Sequence, residues 1–139
     1  MVDMAYWRTM LDGAGVRATR RRVLVLDVLA PHARPVTVGR LHAELRARGE
    51  QIGLTTVYRA VSSLVDAGLV HVFGRTGEAA YRLCDPARHH HLVCRVCGLV
   101  VERFGEDDLD GFLAEEVYGV CPLCVGDQDG TFHAGATAP

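Results

Sequence analysis

The chain has 139 residues, of which 49% are hydrophobic, and its formal net charge is −2. This length allows one ordinary domain or two small ones, the hydrophobic content excludes a disordered chain, and no apolar run is long enough to cross a bilayer. Residues 1–60 carry ten Arg against five acidic residues, whereas residues 61–139 carry five Arg against twelve. The basic front half suits a nucleic-acid partner. The N-terminus lacks the basic and apolar regions of a secretory signal, so we expect a cytoplasmic protein without membrane partners.

The first 68 residues predict four helices, because apolar residues recur at helical spacing between good capping residues. The predicted helices cover residues 3–12, residues from a Thr19 N-cap to about Ala30, residues from a Thr37 N-cap to Gly49, and residues 54–67 before Gly68. Two apolar-rich runs, 69–73 and 79–83, then predict a β-hairpin. Helices followed by a hairpin indicate a winged helix-turn-helix, with the third and fourth helices as the helix-turn-helix unit.

The rear half predicts a smaller α/β arrangement. Residues 92–93 and 99–103 have the character of strands, residues 107–116 predict an acidic helix, and the tail from Gly126 is expected to be disordered. The fold class is therefore α+β. We expect a winged-helix DNA-binding domain at residues 1–84, a zinc-binding domain at 85–125 and a tail at 126–139.

Two CxxC pairs stand twenty-three residues apart in the rear half. Each pair supplies half of a tetrahedral thiolate site, and this spacing is typical of zinc. No βαβ pattern lies beside either pair, which argues against a redox role. The sequence predicts a structural zinc held by Cys94, Cys97, Cys121 and Cys124.

A second ligand group lies just before the first CxxC pair. Side chains alternate in an extended strand, so His89 and His91 point to one side and His90 to the other. Cys84 is near enough for its thiolate to join the two imidazoles, and mixed nitrogen and sulfur ligands favour zinc. The fourth ligand is either His71 or Glu102, which the sequence leaves open.

The predicted fourth helix carries polar residues opposite its apolar stripe. In a helix-turn-helix the N-terminal part of this helix enters the major groove. Hydroxyl, phenol and guanidinium groups there can contact base edges or phosphates. The expected DNA-reading residues are Thr55, Thr56, Tyr58 and Arg59, with Arg20 and Arg21 as phosphate contacts.

Six stretches between residues 10 and 125 resemble the ferric uptake regulator family, and most closely its zinc uptake regulator branch. They are RATRRR (17–22), GLTTVYR (53–59), DAGLV (66–70), GEAAYRLC (77–84), HHHLVCRVCG (89–98) and YGVCPLC (118–124). No one stretch is specific, but their combined order is.

This resemblance implies an N-terminal winged helix, a C-terminal α/β dimerisation domain and a homodimer bound to palindromic operator DNA. It also implies a hinge-region sensing site, with Cys84, His89 and His91 as ligands and His71 at the wing-strand position, and it implies that Arg17 reaches toward the minor groove. Roughly twenty family residues are missing before Tyr118. The resemblance therefore predicts a shortened dimerisation domain with weak self-association.

The function expected from these features is a zinc-responsive transcriptional repressor of metal uptake genes. An iron or peroxide sensor of the same family is the alternative, and the Cys84 thiolate argues against it. A winged-helix module with structural zinc only is a further alternative. A zinc hydrolase would need an open coordination position and a nearby base, so we expect no enzyme.

Overall fold

The computed structural model describes residues 4–74, 78–84, 89–105 and 110–126. The chain divides into two compact units, an N-terminal unit of Met1–Pro86 and a C-terminal unit of Ala87–Pro139. Among these residues, none of the helices has the length and hydropathy needed to cross a membrane.

The N-terminal unit contains the four predicted helices. They are α1 (Met4–Gly13), α2 (Arg20–Leu29), α3 (Val38–Ala47) and α4 (Leu54–Asp66). The Thr19 hydroxyl accepts the backbone N–H of Arg22 at 3.3 Å, and Thr37 accepts that of Arg40 at 3.2 Å. Both predicted N-caps are confirmed, since each hydroxyl satisfies a donor that the helix itself leaves unpaired.

The predicted hairpin is confirmed as β2 (Val70–Phe73) paired antiparallel with β3 (Ala80–Leu83). A third strand, β1 (Val36–Thr37), pairs with the other side of β3, so the sheet order is β1-β3-β2. Two residues are too few for a period-two pattern, and the sequence therefore did not predict β1. Residues 75–77 of the expected turn lie outside the described residues.

One hydrophobic core holds the N-terminal unit together, formed by the inward faces of α1–α4 and the sheet. Trp7 on α1 is buried, and its indole N–H donates to Asp27 Oδ1 on α2 at 3.2 Å. Arg48, which caps the end of α3, donates to the other oxygen of Asp27 at 2.7 Å. Asp27 therefore ties three helices together around the core.

The C-terminal unit is a three-stranded sheet followed by a short helix. Its elements are β4 (His89–Cys94), β5 (Val100–Phe104), β6 (Glu116–Gly119) and α5 (Pro122–Val125). The central strand β4 pairs antiparallel with β5 and parallel with β6. The sequence predicted parts of β4 and β5, whereas β6 and α5 were not predicted.

The expected acidic helix at 107–116 is wrong over its described part. Asp110 and Gly111 have φ angles of 54° and 80°, in the left-handed region that ends a right-handed helix. Glu116 instead begins β6, because pairing with β4 recruits that segment into the sheet. Phe112 and Leu113, expected on an apolar stripe, are 78% and 76% exposed. Residues 107–109, and residues 127–139 of the expected tail, lie outside the described part of the chain.

Candidate metal centres and nucleic-acid face

The four cysteines of the C-terminal unit converge in what we term the cysteine cluster (Cys94, Cys97, Cys121 and Cys124). Their sulfur atoms lie within 4.8 Å of one another. The Sγ atoms of Cys97 and Cys121 are 3.8 Å apart. Four thiolates at about 2.3 Å from a tetrahedral zinc ion stand about 3.8 Å from each other. The cluster therefore fits a tetrahedral zinc ion.

Local backbone turns bring these cysteines together. After β4 the chain reverses at Gly98, which has φ +75° and donates its N–H to the Cys94 carbonyl at 2.9 Å. At the other knuckle, Cys121 is the N-cap of α5, and the N–H of Cys124 donates to the Cys121 carbonyl at 3.0 Å. Both CxxC pairs are thus held as tight turns, each presenting two sulfurs to one point.

The surroundings of the sulfurs shift the pKa values of Cys94 and Cys124 in opposite directions. Burial raises the pKa of Cys94, but backbone N–H groups of Cys97, Cys121 and Val96 directed at its sulfur outweigh burial and lower the pKa to about 6. The Cys121 N–H donates to that sulfur at 3.3 Å. A hydrogen bond that the Cys124 thiol donates to the Cys121 sulfur, together with burial, raises the pKa of Cys124 to about 12. The surroundings therefore favour the thiolate form of Cys94 and the protonated form of Cys124.

A second group of ligand atoms lies on one face of the C-terminal sheet, termed the histidine face (His89, His91 and Glu102). The Nε2 atoms of His89 and His91 are 3.1 Å apart, as the period-two alternation of β4 requires. Glu102 is the partner of His91 on β5, and its Oε1 lies 3.7 Å from His89 Nε2. Imidazoles at about 2.0–2.1 Å from a tetrahedral ion stand about 3.4 Å apart. The histidine face therefore fits three ligands of such an ion.

A second carboxylate flanks His91 from the opposite side. Glu116 on β6 is the parallel partner of His91, so both side chains share one face of the sheet. The Tyr118 hydroxyl donates to Glu116 Oε2 at 2.6 Å. The sequence pattern alone does not indicate a role for Glu116 or Tyr118, because only the β4–β6 register brings them beside the histidines.

The other two expected ligands belong to the N-terminal unit. Cys84 follows β3, is buried, and donates its N–H to the Leu69 carbonyl at 2.9 Å. His71 lies on β2 with its ring packed against Phe73, the centroids being 4.5 Å apart. Their roles as metal ligands remain predictions. His90, on the opposite face of β4 from His89 and His91, is buried.

The exposed side of α4 forms one wall of a groove of about 730 Å³, termed the α4 groove. The turn between α1 and α2 forms the other wall. The inner face of α4, including Val57 and Val61, is buried in the core, so the opposite face points to solvent. Four of the expected DNA-reading residues line the groove, namely Arg17, Thr55, Tyr58 and Arg59.

The remaining expected DNA contacts have different surroundings. Thr56 is half-buried beside the groove, and Arg21 is exposed on α2. Arg20 donates to Glu50 Oε1 at 2.8 Å, so its guanidinium already has a carboxylate partner. Arg22, which was not among the residues predicted to contact DNA, also lines the α4 groove.

A winged helix-turn-helix unit joined to a small unit with cysteine and histidine ligand clusters defines a class of protein, the metal-responsive DNA-binding regulators. The model of the ferric uptake regulator family matches residues 13–119, and the chain belongs to this family.

Two curated relatives show the range of similarity within the family. The zinc uptake regulation protein of Mycobacterium tuberculosis is 40% identical over 129 residues, covering 82% of this chain and 98% of the relative. The ferric uptake regulation protein of Escherichia coli K12 is 38% identical over 105 residues, covering 73% of this chain and 70% of the relative. The alignment with the Mycobacterium tuberculosis protein spans 129 positions, which is more than 82% of this chain amounts to, so it contains gaps in this chain. Part of that relative therefore has no counterpart here.

Solved structures share the fold. A structure described as a zinc uptake regulator complexed with zinc and DNA has a TM-score of 0.71 at 27% identity, covering 89% of this chain and 93% of that one. The ferric uptake regulator of Vibrio cholerae has a TM-score of 0.58 at 31% identity, covering 82% and 98%.

Proposed function

We propose that this chain is a zinc-responsive DNA-binding transcriptional repressor that controls metal uptake genes. The observation that carries the proposal is the histidine face, where His89 and His91 present their Nε2 atoms 3.1 Å apart beside Glu102. The 40% identity to a zinc uptake regulation protein supports zinc as the metal. A regulator of this kind acts by binding, so no enzymatic activity is proposed, and its place of action is the cytoplasm.

The cysteine cluster would hold a structural zinc ion. The separation of 3.8 Å between Cys97 Sγ and Cys121 Sγ supports this assignment. The ion would tie the end of β4 to α5 and so fix the last strand and helix of a unit that has few other buried hydrophobic residues in its described part. Binding of zinc would then contribute directly to the folding free energy of the C-terminal unit.

The regulatory zinc would bind at the histidine face. Here we propose His89 and His91 as two ligands and Cys84, five residues before His89, as the third. The fourth ligand is His71 or Glu102, and the position of the Glu102 carboxylate beside His89 supports Glu102. Two imidazoles with a thiolate favour zinc over the oxygen-preferring cations.

The DNA partner would be a palindromic operator bound by a homodimer. The α4 groove supports this proposal, since Thr55, Tyr58 and Arg59 stand on the exposed face of α4 opposite its buried stripe. Two copies related by a two-fold axis place two such helices in successive major grooves. The relative solved with zinc and DNA has the same fold.

An iron-responsive regulator is the second candidate, since ferric uptake regulation proteins are 38–39% identical to this chain. A site with Cys84 favours zinc, because thiolates are soft ligands and ferrous sites that sense oxidants would lose a thiolate to oxidation. A module with structural zinc only would bind DNA equally well at every zinc concentration.

Titration of an operator duplex across buffered free zinc, with sedimentation in parallel, tests the proposal. We expect operator affinity to rise with free zinc and to respond far less to ferrous iron. Equal affinity at all zinc concentrations would favour the structural-zinc module, and a response to iron alone would favour the second candidate.

A further inference from the structure

The turn between α1 and α2 is closed by a backbone carbonyl that accepts two hydrogen bonds. The backbone oxygen of Arg17 accepts the N–H of Thr19 at 3.0 Å and the guanidinium Nη1 of Arg22 at 2.7 Å. A hydrogen bond from a charged donor at this distance is among the stronger ones in a protein. The backbone of Arg17 is thus bonded to a side chain five residues further along.

Arg22 is itself fixed to the same turn. Its own backbone N–H donates to the Thr19 hydroxyl, which caps α2. On the near side of the turn, Gly15 takes a left-handed φ of +72°, and the N–H of Val16 donates to the Leu11 carbonyl at 2.9 Å. Hydrogen bonds therefore hold the segment between α1 and α2 at both of its ends, and Arg17 lies between them.

Arg17 and Arg22 both line the α4 groove together with Tyr58 and Arg59. Arg22 is half-buried, whereas its neighbour Arg21 is exposed. The Nη1 group of the Arg22 guanidinium is bonded to the backbone that carries Arg17.

We infer that Arg22 is a positioning residue for DNA reading: it holds the α1–α2 turn so that Arg17 is presented at the α4 groove. This inference rests on the proposed function. This role requires arginine at position 22. Its side chain is long enough to reach the Arg17 carbonyl, and its planar guanidinium holds the N–H groups in a fixed direction.

A double-mutant cycle between Arg22 and Arg17 tests the inference in the full-length, zinc-loaded protein. Arg22→Met should weaken operator binding about tenfold, because Arg17 then loses a contact with DNA worth about one charge-assisted hydrogen bond. Arg17→Ala keeps the backbone carbonyl and so keeps the bond from Arg22. In the Arg17→Ala background, Arg22→Met should therefore add little further loss of affinity or of salt dependence.

Arg21→Ala is the matched control, since it removes the same charge one residue away. Its effect should add to that of Arg17→Ala in both affinity and salt dependence. Arg22→Lys, with a shorter reach and a single ammonium, should restore only part of the affinity. Thermal unfolding of each variant shows whether the N-terminal unit remains folded, and the comparison uses only variants that do.

The outcomes separate the inference from the proposed function. If the wild-type protein fails to bind the operator with zinc, the proposed function fails. If the wild type binds and Arg22→Met is additive with Arg17→Ala, or binds as tightly as wild type, then Arg22 does not act through Arg17 and the inference is wrong.

Discussion

At the scale of single residues, two cysteines of one cluster differ in pKa because their surroundings differ. Cys94 and Cys124 are both buried, yet the pKa of the first is lowered to about 6 and that of the second is raised to about 12. The difference arises because backbone N–H groups stabilise the Cys94 thiolate, whereas a neighbouring thiol side chain and burial favour the protonated form of Cys124.

These acidities predict how zinc binding to the cysteine cluster depends on pH. Zinc needs thiolates, so its affinity falls as protons compete for the sulfurs. Cys124 releases its proton only on binding, and its competition therefore extends through the neutral range. Cys94 begins to compete only below pH about 6, where we expect the fall in affinity to steepen by about one proton. Competition with a chromophoric chelator from pH 5 to 8 measures the slope, and a slope that stays constant across pH 6 would contradict the assignment.

Removal of one sulfur gives a second prediction for the cluster. Cys94→Ser should release one zinc ion per chain and unfold the C-terminal unit, because zinc binding there is folding free energy. Metal content and thermal unfolding check this result. Cys84→Ser serves as the control and should retain the structural zinc. A Cys94→Ser protein with full metal content and wild-type stability would contradict the structural role.

The arginines of the DNA face predict two different phenotypes. Losing Arg20 should weaken binding to all DNA and lower the salt dependence by about one phosphate contact, whereas losing Arg59 should cost about 1–3 kcal/mol on the operator and little on random DNA. Glu50 holds Arg20 at 2.8 Å, so Glu50→Gln should strengthen binding to both DNAs. Titrations at several salt concentrations separate these effects. Equal losses on both DNAs for Arg59→Ala would make Arg59 a phosphate contact.

At the scale of elements, β4 combines a structural and a chemical role. It is the central strand of its sheet, and its alternation places His89 and His91 on one face and His90 on the other. Pairing with β5 adds Glu102 to the histidine face, and pairing with β6 adds Glu116. A strand with partners on both sides can thus collect polar groups from three chain segments on one surface.

This alternation predicts a difference between neighbouring histidines. His89→Ala should leave the structural zinc bound but abolish the zinc dependence of operator binding, because it removes an imidazole from the histidine face. His90→Ala is the matched control, since His90 lies on the opposite face and should retain the zinc response. Metal content and operator titrations in buffered zinc measure both properties. A zinc response of wild-type affinity in His89→Ala would place the sensing site elsewhere.

At the scale of the whole molecule, the C-terminal unit is small for a unit expected to dimerise. The segment between β5 and β6 contains no helix among residues 110–115, and Phe112 and Leu113 expose most of their surface there. Without a helix at this position, these two apolar side chains lie on an irregular segment and do not form part of a regular helical face. A dimer that buries them must also order this segment, and the entropic cost of ordering offsets part of the free energy gained from burial.

We therefore expect weak self-association that strengthens with zinc or operator DNA. Sedimentation velocity of the metal-depleted protein at nanomolar concentration should show mostly monomer, and addition of zinc and operator should shift it to two copies per duplex. A mutated operator of equal length controls for non-specific loading. A tight dimer without metal at nanomolar concentration would show that the shortened unit suffices.

Patterns of short range in the chain were sufficient to predict most of this fold. The N-caps Thr19 and Thr37, the helical stripe of α4 and the two CxxC pairs depend on residues a few positions apart, and so does the placement of His89 and His91 on one side of a strand. Such features follow from helical and extended backbone geometry, which neighbouring residues largely decide.

Only the tertiary structure decided the features that depend on distant segments. The segment predicted as an acidic helix instead leads into β6, which pairs with β4. The parallel register of this pair places Glu116 beside His91. The contact between Arg20 and Glu50 likewise joins residues thirty positions apart. Local propensity does not predict such pairings, because their free energy depends on which segments meet in the folded chain. The sequence pattern of either segment alone is compatible with several partners.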